Sequence, residues 1–253
     1  MKSEIPVILD DELVALLRDF TDDELAPLVE LVVKQLTSQL DLTEQYRQHS
    51  PKHSKYSDLL AAELQKFGAN TFATVFRKGR GVYYRVIVQD VAKSLKLNVN
   101  LKRGTDEIEI QILLKVLENA WEKMSEAERA ELLAQAGVDG ASISAAFPTM
   151  AVLAIIKAGG FASYKIMLIV VNAVCKLILG RGLPLAANAA LAKCMGVLAG
   201  PIGWAISIGW ALVDIAGPAY RVTVPAVIHI AAMRQIVAMR RAGVCDNRAE
   251  KSA

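Results

Sequence analysis

Apolar residues in the first half of the chain recur every three or four positions, the period of a helix that buries one face. Leu13, Leu16 and Leu17 follow Asp10-Asp11-Glu12, and Leu25, Leu28, Val29, Val32, Val33 and Leu36 follow Thr21-Asp22-Asp23-Glu24. That last tetrapeptide has the form of a capping box, in which the Thr hydroxyl and the Glu carboxylate each satisfy an orphan backbone N–H. A third stripe, Leu59, Leu60, Leu64 and Phe67, runs up to Gly68, which the pattern makes its stop. Gly79 and Gly81 mark a loop before Val82–Leu97. The β-branched start of that segment has strand character, but Asp90 to Leu97 continue it at helical spacing and predict a helix. Thr105-Asp106-Glu107 opens a strong helix through Ile108, Ile112, Leu113, Val116, Leu117 and Trp121. Ser125-Glu126-Ala127-Glu128 is a second capping box, for a short helix ending near Gly137. Between these elements Asp41–Ser57 is polar, contains Pro51, and predicts an exposed connection. The predicted fold is all-α.

Beyond residue 140 the pattern changes from stripes to continuous apolar stretches: Ala151–Ile156 leading to Phe161, Ile166–Leu179, Cys194–Val213 and Val222–Met233. Cys194–Val213 carries no charge between Lys193 and Asp214, and its length suffices to cross a hydrocarbon core. Gly196 and Gly200, Ala199 and Gly203, and Ala205 and Gly209 place small residues four apart, a spacing that lets membrane helices approach closely. Against a simple span, Gly200-Pro201 breaks or kinks the segment. Lys157, Lys165 and Lys176 interrupt the preceding stretches, as in a helix that lies at an interface with its lysines snorkelling. A membrane span and a buried or releasable hydrophobic hairpin are both compatible with these residues.

Charge sharpens the division. Residues 1–139 carry 18 Lys/Arg against 23 Asp/Glu, a net of −5, whereas residues 140–253 carry 11 against 3, a net of +8. With 53% apolar and 22% charged residues and a mean hydropathy of +0.32, the chain is too apolar to be disordered. The expected organisation is an acidic helical domain over 1–139 with a short N-terminal subdomain over about 1–40, a basic hydrophobic helical region over 140–245, and a flexible tail over 246–253. Such asymmetry points to an anionic membrane surface or a partner protein. Cys175, Cys194 and Cys245 do not form a disulfide framework or a zinc-binding pattern. The opening residues run into acidic sequence without the apolar core of a signal peptide. The expected place is the cytoplasm, peripheral to or inserted in the inner membrane.

Candidate chemistry is sparse. His49 and His53 stand four apart, but Pro51 lies between them and no third ligand is spaced to join, so a solvated loop is expected. His229 on its apolar stretch reads as a hydrogen-bonded core histidine rather than a general base. Arg77, Lys78, Arg80 and Arg85 form a dense basic cluster around Gly79 and Gly81; with Lys157, Lys165 and Lys176 they are the candidates for contact with anionic headgroups. The cluster is no phosphate-binding loop, and no aromatic platform beside it points to specific nucleic-acid recognition. Asp214 and Arg221 flank the Gly217-Pro218 turn and are expected to form a buried structural ion pair. No nucleophile–base pair, metal set or cofactor loop is recognisable, so neither an enzyme nor a cofactor is expected. The reading is a non-enzymatic helical protein that associates reversibly with the membrane, for anchoring or pore formation. The alternative is a soluble chaperone or adaptor that binds a partner helix.

Several words of the sequence carry a resemblance. Ala62–Gly68, Tyr84–Lys93, Trp121-Glu122-Lys123-Met124 and Ala219–Val227 resemble the YaaW-like family of uncharacterised bacterial proteins, with Ala69 standing where a second glycine is expected. Asp10–Val33 looks like the short domain that precedes the rest in that family. The middle, about 58–135, is similar to the helical domain of ubiquinol–cytochrome c assembly chaperones. The resemblance implies an all-helical fold and a binding role, and brings no catalytic residues with it.

Overall fold

The computed structural model describes residues 10–34, 38–69, 81–98, 100, 102–136 and 220–243, with a few positions between 154 and 167. All regular structure among the described residues is helical, as the periodicity predicts. The helices are α1 (Asp11–Arg18), α2 (Asp22–Val33), α3 (Glu44–His49), α4 (Ser57–Ala69), α5 (Tyr84–Ser94), α6 (Thr105–Lys123), α7 (Glu126–Ala136) and α8 (Tyr220–Arg241).

Both capping boxes form. Thr21 N donates to Glu24 Oε2 at 2.8 Å while Glu24 N donates to Thr21 Oγ1 at 3.3 Å. Ser125 N donates to Glu128 Oε2 at 2.7 Å and Glu128 N to Ser125 Oγ at 3.4 Å. At the other end of α5, Leu97 N bonds the Ala92 carbonyl and Lys96 N the Lys93 carbonyl, closing a Schellman motif with Lys96 in the left-handed region at φ 55°. Glycine takes the equivalent position after α8, where Gly243 has φ 71°.

By its contacts the chain groups into two units, Met1–Ile112 with Leu212–Ile230 and Leu113–Ala211 with Ala231–Ala253. In the first, α4 packs against α1, α2 and α5. Its core holds the predicted stripes: Leu13 and Leu17 of α1, Leu25 and Leu28 of α2, Leu60 and Leu64 of α4, and Ile108 and Ile112 of α6. Each such side chain contributes about 1.5–3 kcal/mol when fully buried. In the second, Leu117, Trp121, Met124, Leu133, Ile166 and Met167 are buried. Arg129 lies 5.6 Å from the Trp121 ring centroid, and its Nε donates to the Trp121 carbonyl at 3.0 Å, placing a cation near the C-terminus of α6.

One expectation is refined and one corrected. α4 ends at Ala69, one residue past the stop predicted at Gly68, and a side chain at Gly68 would meet the α5 side, with an added Cβ 2.6 Å from Ile87 Cδ1 and 3.1 Å from Val82 Cγ2. Asp41–Ser57 is not a plain exposed connection. It contains a 3₁₀ turn at Leu40–Leu42, then α3, then a second 3₁₀ turn at His53–Tyr56 that buries both His53 and Tyr56.

α8 is buried without interruption from Val222 to Met233. A helix apolar on every side belongs in a core or a bilayer. α8 is long and apolar enough to cross a membrane, but 83% of its apolar window is buried inside the protein, as in a core helix.

Candidate functional site

Asp10 is the N-cap of α1, and its Oδ1 accepts from Leu13 N at 3.1 Å. Its second oxygen, Oδ2, accepts from Tyr84 N at 2.5 Å, at the first residue of α5 and 74 positions away. The residue before α5, Tyr83, provides no side-chain cap of its own. One buried carboxylate therefore serves the N-termini of two helices, whose dipoles both favour its negative charge. Beside this junction Tyr83 is 52% exposed, and Arg85 Nη2 donates to the Arg103 carbonyl at 2.6 Å.

Two more hydrogen bonds hold the same N-terminal segment. Asp22 Oδ1 accepts from Ser54 N at 2.7 Å. His229 Nε2 donates to the Glu24 carbonyl at 2.7 Å, joining α8 to the first turn of α2 across 205 positions. A carbonyl only accepts, so this bond fixes the proton on Nε2 of a neutral ring. Burial pushes the His229 pKa down to about 4, and the Glu24 carbonyl only partly opposes the shift. This is the hydrogen-bonded core histidine that the sequence predicts.

His53 and Tyr56 share a hydrogen bond through Nδ1 and the hydroxyl, and the Tyr46 ring packs 5.5 Å from that of Tyr56. Burial lowers the His53 pKa while Asp22 and Asp23 pull it upward. Burial also raises the Tyr56 phenol to about 12. His49 is exposed and His53 buried, so the two do not face one ligand, and His53 is no solvated loop residue. No group of three metal-ligating side chains gathers among the described residues.

The headgroup candidates are dispersed or undescribed. Arg77, Lys78, Arg80, Lys157 and Lys176 lie outside the described residues; Lys165 is half-buried and Arg85 is engaged with Arg103. Arg221 is exposed in the first turn of α8, and Asp214 lies outside the described residues, as do the three cysteines and Cys194–Val213. Near Arg221, burial raises the Tyr220 phenol, with a smaller push from Asp90 of α5. Sequence reasoning missed the double role of Asp10. The available signal was a helix beginning at Tyr84 with no Ser, Thr, Asp or Asn immediately before it, so that its cap had to come from elsewhere.

The ubiquinol-cytochrome C chaperone family model matches residues 52–228, well beyond the middle segment that carries the resemblance in the sequence. Over 225 residues the chain is 40% identical to a UPF0174 protein of Helicobacter pylori strain J99, covering 86% of this chain and 88% of that one. A UPF0174 protein of H. pylori strain 26695 is 38% identical over 77% of this chain and 96% of its own length. UPF0174 protein YaaW of Escherichia coli K12 is 33% identical over 75% of both chains. No solved structure matches.

Proposed function

The chain belongs to the UPF0174 family and, over residues 52–228, to the ubiquinol-cytochrome C chaperone family, and on that footing we propose that it is a non-catalytic, chaperone-like cytoplasmic protein that binds a helix of a partner protein. The observation that carries this reading is the extent of the chaperone match, which takes in α4 to α7 and the first turns of α8. The buried histidines support it. His229 is committed to the Glu24 carbonyl and His53 to Tyr56, both structural bonds rather than an accessible general base.

Reversible membrane association through the uncharged run Cys194–Val213 is the second reading, favoured by the composition of that run. One experiment separates the two. A photo-crosslinking residue is placed at Tyr83 or at Leu42, which are 52% and 62% exposed, in the full chain expressed in bacteria. Illumination is expected to give a discrete protein adduct from at least one position, with the chain recovered in the soluble fraction. Lipid adducts alone, with a chain that carbonate does not strip from membranes, would overturn the chaperone reading.

A further inference from the structure

The acidic front half contains a basic strip. Residues 81–104 carry 5 Lys/Arg against 1 Asp/Glu, a net of +4, whereas the rest of residues 1–139 carries 13 against 22, a net of −9. The fold gathers these charges along α5. Lys96 follows the C-terminal end of that helix, yet the Arg103 carbonyl accepts from Arg85 Nη2 in its first turn. Between Lys96 and Arg103 the chain therefore returns from one end of α5 to the other. It closes with a turn in which Arg103 N bonds the Asn100 carbonyl at 3.0 Å. Lys93, Lys96, Lys102 and Arg103 are exposed on this strip, and Arg85 is half-buried. Two acids mark its edges: Asp90 pairs with Lys93 at 3.2 Å and Glu107 with Arg103 at 3.4 Å. Tyr83, an exposed aromatic, stands two positions before Arg85. Tyr and Arg are the side chains that most often anchor protein interfaces.

We propose that this strip, formed by Tyr83, Arg85, Lys96, Lys102 and Arg103, is where the partner protein docks, and that the docking segment is acidic. Its carboxylates meet the four cations, and an apolar side chain rests on Tyr83. The proposal rests on the partner-binding reading above and adds the place and the chemistry of the partner. Charge complementarity selects the occupant. Guanidinium groups hold carboxylates in a two-bond fork, and the bond from Arg85 to the Arg103 carbonyl keeps the two arginines side by side. A short acidic segment fits within the strip. A nucleic-acid duplex or an anionic bilayer is negative over a wider area and would also lie against Asp90, Asp106 and Glu107, which lowers its net gain.

The probes are three fluorescent helical peptides of equal length, with leucines at one spacing and Glu, Gln or Lys at every polar position. Each is titrated into the full chain and followed by anisotropy. At low salt the Glu peptide is expected to bind about tenfold or more tightly than the Gln peptide, with the difference shrinking as salt rises. The Lys peptide should not bind. Lys102→Glu combined with Arg103→Glu should remove the preference for Glu, and Tyr83→Ala should weaken the Glu and Gln peptides alike. The basic residues beyond 140 offer the Glu peptide a second place, so a preference retained in the charge-reversed variant would overturn the proposal. If charge reversal disturbs the fold by circular dichroism, Lys96→Gln with Lys102→Gln is the milder change. It should still reduce the preference severalfold, and no reduction would overturn the proposal as well. Tighter binding of a DNA duplex or of phosphatidylglycerol vesicles than of the Glu peptide would do the same. Crosslinking separates this surface from the partner-binding reading itself: a protein adduct at Leu42 with none at Tyr83 keeps that reading and overturns the strip.

Discussion

His229 places an imidazole where only its neutral form fits. In the folded chain its pKa is pushed to about 4 by burial, against the ordinary 6.5 of an unfolded histidine. Above pH 6.5 both states are neutral and the residue adds no pH dependence. Between 6.5 and 4 the unfolded chain takes up the proton and the folded chain does not, so stability falls as pH falls, levelling off below 4. The full loss is roughly 3 kcal/mol at 1.36 kcal/mol per unit. His53, lowered in the same direction, adds to it. Urea midpoints from pH 8 to 4 should show this decline, and His229→Gln should flatten it; an unchanged slope in that variant would place the proton uptake elsewhere. Lys96 makes a second prediction at this scale. An L-residue in the left-handed region costs about 1–2 kcal/mol relative to glycine, and Lys96 is exposed. Lys96→Gly should therefore raise stability by about 1 kcal/mol, less the extra chain entropy of glycine, as a rise in melting temperature.

Helices α4 and α5 meet where Gly68 has no side chain and Ile87 fills the space. Gly68→Ala gains helix propensity of about 1 kcal/mol but overpacks the contact, which typically costs 1–3 kcal/mol, so a net loss is expected. In an Ile87→Ala background only the tight contact with Val82 Cγ2 at 3.1 Å remains, and the same change should cost less than in the intact chain. Additive effects in that cycle would show that the contact does not limit the approach. The sequence made Gly68 a stop because glycine often follows a helix; only the partner helix reveals that it is a point of close approach. The other helices were legible because stripe and cap agree, as at Thr21–Glu24 and Ser125–Glu128. Leu40–Tyr56 was not. Its buried groups are few, and its turns are too short to show a period. His53 is buried where its 3₁₀ turn packs against α2, α3 and α4, contacts that no local apolar pattern shows.

At the scale of the whole molecule, the bonds that define the candidate site join residues 74 and 205 positions apart, and no local pattern announces such pairs. The residues themselves were visible: Asp10 as a helix start, His229 as a core histidine, and Tyr84 inside a family word. What linked them was topology. The composition of the chain puts a boundary near residue 139, whereas the first contact unit unites 1–112 with 212–230. These two divisions make different predictions for a fragment of residues 1–139. It keeps α1 to α7 but lacks the His229 donor for Glu24 and the buried residues Val222–Ile230 of α8. Deleting several fully buried aliphatic side chains removes about 1.5–3 kcal/mol each, which is comparable to the whole margin of stability of an ordinary domain. The fragment should therefore retain helical circular dichroism from its capped helices, yet melt earlier and more broadly than the full chain and bind a dye specific for exposed apolar surface. A peptide of residues 218–243 added in trans should reduce dye binding and sharpen the melt, and His229→Ala in that peptide should weaken the rescue. A fragment that melts as cooperatively as the full chain, with no response to the peptide, would show that the acidic front half completes its own core and that α8 is an addition to it rather than a part of it.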